Sequence, residues 1–475
     1  MKTKFNFCGS LRANCSTIGA RAGILPARRL GLVAVAGWLV ATGPVSAQSL
    51  FTTGDLLVST YGNVGNAATS SAFTESLPTP ESTFIDGVPT PISLLEYSPS
   101  GAVGAAPIVT YTLPTTNSGS NYGIVGEYGS SSEGTIQLSA DGRYLTVNGY
   151  SAAPSIAGVG SPGGLGYFNA NPISGVALAQ ATSANVPRVF AFLDANGTVN
   201  SSTVLNTIFS TNNPRSSYLV NPTTLYVSGQ GSVSTDQGVF MVTVGTNNVA
   251  NPGTGATQIY KNTDTRTVQA FSGNLYFSED KPNKPTAIFK YNGLPVSQQT
   301  PTAITPAGNG TVNYSPEGIY FANTTTMYLA DTGDPKKGAP GDGGIQKWSL
   351  TGGTWTLDYT LIDPNFVTDI TQLHGETGFE ALTGEIVGSG SSAQVELFAV
   401  SYTLGDGDPN GLYTITDNLD ATTETGESFT EMETSGANDV FKGVSFAPVP
   451  EPGMYGLILG GLGALAALGR RRWKQ

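Results

Sequence analysis

The sequence predicts an all-β protein, a β-propeller of about six blades, with seven blades as the alternative. Short runs rich in β-branched and aromatic residues recur between turns of Gly, Asn, Asp and Pro. The 475-residue chain contains 61 Gly and 29 Pro, enough for many turns. No segment has a convincing helical period except one near the C-terminus. Evenly spaced short strands are typical of sandwiches, barrels and propellers, and the local strand order favours the propeller.

The charge and composition exclude several classes of function. The formal net charge is −12, and residues 48–449 carry 12 Lys and Arg against 33 Asp and Glu. Such a body lacks the basic stripe that a nucleic-acid partner requires. The chain has 1 His, which excludes a metal site built from several histidines.

Residues 1–47 are predicted to be a secretory signal peptide. They contain six basic residues and no acidic one, then an apolar run at Leu30–Ala41 and the small-residue sequence Val45–Ala47 before Gln48. This order is typical of a cleaved export signal, with a membrane anchor as the alternative. Cys8 and Cys15 both lie in this segment. The mature chain would then have no cysteine and need no disulfide.

Residues 48–448 form the predicted propeller body, and its clearest blade lies near residue 330. Pro316–Phe321 is followed by Met327–Gly333, a long loop, Gly344–Trp348 and Trp355–Leu361. These are four short strands in succession, as one blade requires. The segment resembles propeller blades of the NHL and lactonase type.

First strands of blades are predicted near residues 133, 215, 266, 317, 380 and 442. A long segment at 149–185 leaves room for a seventh blade. The strands that begin at Leu56 lack a first strand, and Val444–Ala447 has no strands after it. Pairing of these two ends would complete one blade and remove the free sheet edges.

Four longer segments resemble an uncharacterised family of secreted bacterial β-propeller proteins. They are Leu138–Tyr150, Arg188–Thr203, Gly343–Leu361 and Phe441–Pro448. The resemblance implies export and a propeller fold, and it implies no reaction.

Six charged residues, here called the charged ring, are predicted to face the channel mouth at the start of each first strand. They are Glu133, Arg215, Arg266, Glu317, Glu380 and Lys442. Glu133, Glu317 and Glu380 could bind Ca²⁺, which prefers oxygen ligands, and support lactone or phosphoester hydrolysis as in lactonase and phytase propellers. The three basic members allow the alternative of a ring of ion pairs.

Three weaker residue patterns are compatible with metal binding or catalysis. Asp406, Asp408 and Asn410 have the spacing of a calcium loop, but a plain hairpin turn explains the same residues. Asp331, Asp334 and Asp342 form a looser acidic group. His374 precedes Glu380 by six residues, and a His–Glu pair is suited to acid–base catalysis. A structural or solvated histidine is the alternative.

The C-terminus carries the most specific signal. Pro450, Glu451 and Pro452 precede an apolar span at residues 453–469, which is followed by Arg470, Arg471 and Arg472. As a helix the span would be about 26 Å long, a short transmembrane segment with its basic end in the cytoplasm. Residues 449–475 resemble the PEP-CTERM sorting signal of Gram-negative bacteria. The resemblance implies export, tethering to the inner membrane, and processing by the membrane protease exosortase.

These observations predict an exported binding protein at the cell surface or outside the cell. The resemblance to PEP-CTERM proteins links it to exopolysaccharide and biofilm, with a polysaccharide or protein as ligand. No cofactor is required, although Ca²⁺ is possible, and no catalytic constellation is evident. The alternative is a Ca²⁺-dependent hydrolase that uses Glu317, Glu380 and His374.

Overall fold

The computed structural model describes residues 49–62, 89–130, 132–151, 177–262, 264–280, 287–305, 314–333, 343–367, 374–405, 408–436 and 439–451. All of them belong to the second of two units into which the chain divides, residues 47–475. Over these ranges the secondary structure consists of β-strands and one 3-10 turn, Gly390–Ser392. The all-β prediction is therefore confirmed for the described residues.

In chain order the strands are β1 (Leu56–Gly62), β2 (Pro89–Thr90), β3 (Ile92–Tyr97), β4 (Val109–Thr112), β5 (Ile124–Glu127), β6 (Gln137–Leu138), β7 (Tyr144–Ser151), β8 (Arg188–Asp194), β9 (Val199–Leu205), β10 (Pro214–Asn221), β11 (Thr224–Gly229), β12 (Gly238–Thr243), β13 (Thr257–Tyr260), β14 (Thr265–Phe271), β15 (Asn274–Glu279), β16 (Ala287–Tyr291), β17 (Thr302–Ala303), β18 (Pro316–Phe321), β19 (Thr326–Asp331), β20 (Gly344–Thr351), β21 (Thr354–Leu361), β22 (Glu376–Val387), β23 (Gln394–Thr403), β24 (Gly411–Asn418), β25 (Thr430–Thr434) and β26 (Asp439–Phe446).

These strands form six antiparallel sheets, the blades. Blade 1 has the order β26-β1-β3-β4, and blade 2 has the order β2-β5-β7-β8-β9 with β6 also paired to β7. Blades 3 to 6 are simple meanders: β10 to β13, β14 to β17, β18 to β21 and β22 to β25. The described residues thus contain six blades. The first strands β10, β14, β18, β22 and β26 lie where the sequence predicts them. Near residue 133 the chain forms the two-residue strand β6, and blade 2 also contains β2 and β5, which lie well before its predicted start. Most of the segment that suggested a seventh blade, residues 152–176, lies outside the described residues.

The two ends of the body pair, as predicted. Strand β26 runs antiparallel to β1, with Phe446 opposite Leu56 and Asp439 opposite Gly62. Blade 1 therefore takes its innermost strand from the C-terminal part of the body and its other strands from the N-terminal part. The pairing removes the edge that β1 would otherwise expose.

Neighbouring blades pack face to face, which explains the near-continuous apolar runs in the sequence. In β19 all six residues are buried, so both faces of the strand are covered. One apolar cluster joins Tyr276 and Ile288 of blade 4 to Phe321, Trp348 and Trp355 of blade 5. Both tryptophans are buried, and they contribute to packing rather than to an exposed stacking surface.

Of the two predicted terminal segments, only residues 449–451 of the C-terminal one are described. The signal peptide at 1–47, the apolar span at 453–469 and the basic tail all lie outside the described residues. Within the described ranges, no helix has the length and apolarity needed to cross a bilayer.

Candidate functional site at the propeller channel

The charged ring lies at the beginning of the innermost strands. Arg215, Arg266, Glu317, Glu380 and Lys442 are in β10, β14, β18, β22 and β26, and Glu133 lies just before β6. Five of the six residues are buried, and the side chain of Arg266 is 13% exposed. The channel mouth therefore brings six ionisable groups into a region of restricted solvent access.

Three blades share one ion-pair network. Arg266 contacts Glu317 at 2.7 Å, Asp264 at 3.3 Å and Asp280 at 3.3 Å. Arg215 pairs with the same Asp264 and donates to Gln230 Oε1 at 2.7 Å. The guanidinium groups of blades 3 and 4 thus hold one carboxylate from blade 5 and two from the loops, Asp264 and Asp280.

Burial and these neighbours set the pKa values within the network. Burial lowers the pKa of Arg266, but Glu317, Asp264 and Asp280 outweigh it and raise that pKa above its usual range. Burial raises the pKa of Glu317 to about 7, although Arg266 and Arg215 oppose the shift. Glu317 therefore titrates near neutral pH.

Glu133 and Glu380 have partners of their own. Glu133 accepts hydrogen bonds from Tyr150 and from Asn213 Nδ2, the latter at 3.0 Å. Burial raises the pKa of Glu133, while these two hydrogen bonds lower it. Lys442 Nζ lies 4.0 Å from Glu380 Oε1. Two of the three ring carboxylates, Glu317 and Glu380, thus pair with a base from the ring, and Glu133 is held by neutral donors.

This arrangement corresponds to the ion-pair alternative for the charged ring. Among the described residues there is no group of three or more His, Cys, Asp and Glu side chains placed to hold a metal ion. Ca²⁺ binding by Glu133, Glu317 and Glu380 remains a prediction that would require these pairs to rearrange.

His374 lies against Asp408, and acid–base catalysis by a His–Glu pair remains a prediction. His374 Nδ1 lies 3.0 and 3.1 Å from the two carboxylate oxygens of Asp408. The imidazole is 42% exposed, whereas the Asp408 side chain is 5% exposed.

The predicted calcium loop is only partly described, since Asp406 lies outside the described residues. Asn410 uses its side chain on the backbone: Oδ1 accepts from Phe441 N at 2.8 Å, and Nδ2 donates to Ser401 O and Phe441 O at 2.9 Å. Asn410 therefore ties blade 6 to the closing strand β26. Calcium binding here remains a prediction that competes with this role.

Of the looser acidic group, only Asp331 is described. It is fully buried and accepts hydrogen bonds from Ser315 N at 2.8 Å, Gly333 N at 2.9 Å and Gln346 Nε2 at 2.8 Å. Three donors to one carboxylate make Asp331 a structural anchor at the corner of blade 5. Asp334 and Asp342 lie outside the described residues.

A central cavity of about 240 Å³ lies along the innermost strands of all six blades. Its walls include Gln137, Tyr218, Gln269, Phe271, Tyr320 and Thr383. Among the described residues that line it, none is charged. Burial raises the pKa of Tyr218 to about 12, so that hydroxyl is neutral at ordinary pH. Aromatic faces next to amides and hydroxyls suit a neutral ligand that has both apolar and polar surface.

A second cavity, here called the polar cavity, has a volume of about 310 Å³ and lies between blades 2 and 3. It is lined by Glu127, Gly129, Ser130, Ser132, Ala177, Ala179, Gln180, Thr211, Asn212, Asn213 and Arg215. Of these, the sequence singled out only Arg215. The run Ser210–Asn213 has the composition of an ordinary turn, so no local signal distinguishes it as the wall of a cavity.

The six blades of the described residues, arranged around a lined channel, define this part of the chain as a β-propeller. Residues 448–472 match the PEP-CTERM protein-sorting motif, so the chain carries this signal at its C-terminus. The motif implies export and processing by an exosortase-type membrane enzyme. Within it, Glu451 accepts from Arg143 Nη1 at 3.2 Å and Tyr144 OH at 3.1 Å, while Pro452 and Arg470 to Arg472 lie outside the described residues.

Similarities to solved structures are weak. The fucose-specific lectin from Aleuria aurantia is 10% identical at a TM-score of 0.34, over 74% of this chain and 92% of the lectin. TolB from Acinetobacter baumannii is also 10% identical at a TM-score of 0.34, over 82% of this chain and 67% of TolB. The Trypanosoma rangeli sialidase is 10% identical at a TM-score of 0.35, over 67% of this chain and 50% of the sialidase. Comparison with curated proteins gave no match. Likeness at this level assigns no function.

Proposed function

We propose that this protein is an exported binding protein that holds a matrix polysaccharide at the cell surface or outside the cell, without catalysing a reaction. The observation that carries the proposal is the central cavity, a neutral space of about 240 Å³ with walls from all six blades. Phe271, Tyr218 and Tyr320 offer faces for the apolar side of a sugar. Gln269 offers an amide that can donate to and accept from hydroxyl groups. Gln137 Nε2 already donates to Ser216 Oγ at 2.6 Å and to Val268 O at 2.9 Å, so Gln137 offers its Oε1 as an acceptor.

The sorting motif and the charge support the placement outside the cell. The PEP-CTERM match implies an export route and a membrane-tethered stage before sorting. The large acidic excess of the body disfavours adhesion to anionic lipid or nucleic acid. A neutral polysaccharide of the matrix is consistent with a location outside the cell and with an acidic protein surface.

The alternative is a Ca²⁺-dependent hydrolase at the charged ring. One observation favours it: Glu317 has a pKa raised to about 7, and a group that titrates near neutral pH is suited to acid–base catalysis. The same carboxylate lies 2.7 Å from Arg266 Nη1, as a residue in a structural ion pair would. Binding is therefore the better-supported function.

The test uses the chain without its predicted signal peptide, residues 48–475, in mild detergent. We expect it to retain exopolysaccharide purified from its own bacterium in a co-sedimentation assay. Tyr218→Ala combined with Gln269→Ala should reduce retention at least tenfold. Gln258→Ala, on the outer strand β13, should leave it unchanged and serves as the matched control.

The hydrolase alternative is tested with the same chain. Calorimetric titration with Ca²⁺ is followed by assays on lactone, phosphoester and glycoside substrates. Ca²⁺-dependent turnover that disappears in both Glu317→Gln and Glu380→Gln, with melting unchanged, would replace the binding proposal. Binding of polysaccharide with no turnover would support it.

A further inference from the structure

The polar cavity lies at the charged end of the channel, apart from the central cavity. Arg215 lines the polar cavity and Tyr218 lines the central one. Arg215 and Tyr218 are three positions apart in β10, which is about 10 Å of extended strand. A ligand in one cavity can therefore be distinguished from a ligand in the other by substitution. The proposed polysaccharide site, the central cavity, does not include the polar cavity.

We propose that the polar cavity is a second binding site, which takes a small, neutral, hydroxyl-rich ligand such as a single sugar unit. Its volume of about 310 Å³ is at the lower end of the range for small-molecule sites, about 300–1,000 Å³. Its walls carry the hydroxyls of Ser130 and Ser132 and the amides of Gln180 and Asn212. Such groups match hydroxyls, which both donate and accept.

The charges around this cavity already have partners, which favours a neutral ligand. Arg215 pairs with Asp264 and donates to Gln230. The carboxylate of Glu127 accepts the backbone N–H of Ala179. A bound anion or cation would have to compete with these contacts, whereas a hydroxyl would add to them.

A fully buried arginine holds the two loops that form the wall. Arg188 donates to the carbonyl oxygens of Ala181 at 2.9 Å, Phe209 at 2.7 Å and Asn212 at 2.8 Å. Its guanidinium also lies 4.7 Å from the ring centre of Tyr150. Burying a cation costs free energy, so a cation that binds carbonyl groups from both loops indicates a wall of defined shape.

The same wall contains strained backbone. Phe209 and Thr211 have φ angles of 51° and 56°, and they are two of the four non-glycine residues with positive φ among those described. A β-branched residue such as Thr211 is a clear outlier in this region. Thr211 N donates to Ala181 O at 3.2 Å, which joins the two loops. Strain of this kind concentrates at ligand sites, where it keeps a loop in its binding shape.

The experiment uses the chain of residues 48–475 and the methyl glycosides of glucose, galactose and mannose as probes. Saturation-transfer NMR detects binding, and calorimetry gives the dissociation constant. We expect at least one glycoside to bind, and Gln180→Ala combined with Asn212→Ala to raise its dissociation constant at least tenfold. Both substitutions remove side chains from the wall without touching Arg188, so melting should not change.

The control is Gln269→Ala, which removes an amide from the central cavity only. Glycoside binding lost in Gln269→Ala but kept in the Gln180 and Asn212 double variant would overturn this inference and leave the proposed function standing. Absence of binding by all three glycosides at tens of millimolar would overturn it too. Conversely, glycoside binding at the polar cavity without polysaccharide retention would contradict the proposed function alone.

Discussion

At the scale of single residues, burial and neighbouring groups together set the pKa values of the ionisable side chains. Burial lowers the pKa of Arg188, while Tyr150, Glu133 and Glu127 partly restore it. Burial raises the pKa of Glu317 to about 7 against the opposing effect of Arg266. A buried group can thus remain charged, as Arg188 does, or titrate near neutral pH, as Glu317 does.

Glu317 predicts a specific dependence of stability on pH. Its pKa in the folded chain, about 7, lies above the ordinary value of 4.5, so the folded state binds the proton more tightly. The stabilisation is complete below about pH 4.5 and is lost as the pH rises through 7. The free energy of unfolding in urea should therefore fall by about 1–3 kcal/mol between pH 4.5 and 8.

The variant Glu317→Gln should reduce this fall, because the amide is neutral at both pH values. Part of the fall should remain, since burial also raises the pKa of Asp439, to about 6. Arg215, Arg266, Asp264 and Asp280 surround Glu317 and stay in place in the variant. An identical fall in the variant and the wild type would contradict this assignment.

At the scale of elements, blades 5 and 6 are joined by a fully buried ion pair. Lys347 of β20 contacts Asp417 of β24 at 2.8 Å, and both side chains are 0% exposed. Tyr328 and Tyr359 donate to the same carboxylate at 2.5 and 2.6 Å. Every oxygen of Asp417 is thus satisfied by blade 5, so this polar cluster specifies how the two blades align.

Removing one member of this pair should destabilise the protein strongly. Lys347→Met would leave Asp417 buried without its cation, and we expect a loss of about 3–5 kcal/mol in urea unfolding. Lys347→Met combined with Asp417→Leu should cost less than the sum of the two single changes. Lys290→Met, at a half-buried lysine of β16, is the control and should cost less than about 1 kcal/mol. Additive losses would show that the pair is not coupled.

At the scale of the whole molecule, the fold depends on joining strands from opposite ends of the body. Blade 1 is complete only when β26 pairs with β1. Asn410 reinforces this joint from blade 6 through its contacts with Phe441. Because the blades pack in a circle, an incomplete blade would expose apolar faces on two neighbours as well as its own edge.

A chain that ends after Gly436 lacks β26 and should lose its cooperative thermal transition, as followed by circular dichroism. A chain that ends after Glu451 keeps β26 and should melt like the chain of residues 48–475. It also keeps the hydrogen bond from Val449 N to Gly142 O at 2.9 Å. A cooperative transition of equal midpoint in both truncated chains would contradict the role assigned to closure.

Inner strands were easier to predict than outer ones, for a physical reason. A strand buried on both faces needs a continuous apolar run, as in Met327–Ala330, and such a run is visible in the sequence. The outer strand β25 is largely exposed, and the outer strand β13 has two buried residues among its four, so neither carries a continuous apolar run. Their sequences accordingly did not predict these two strands.

The sequence indicated where the charged-ring residues lie, but it did not indicate which side chains they pair with. All six charged-ring residues lie at the starts of inner strands, because the blade repeat sets their position. Their partners Asp264 and Asp280 were not foreseen, since they come from the loops between blades. Asn410 has the spacing of both a calcium loop and a hairpin turn, and neither pattern indicates its contacts with Ser401 and Phe441.

The sequence by itself determined the all-β class, the positions of most inner strands, the closure by the last strand and the C-terminal sorting motif, and it left the number of blades at six or seven. Each of these follows from local composition or from the order of segments along the chain. Only the tertiary structure decided that Arg266 binds three carboxylates, that His374 pairs with Asp408, and that Arg188 shapes a cavity. Those contacts join residues from separate loops and strands, and their energies depend on burial and distance, which no linear pattern encodes.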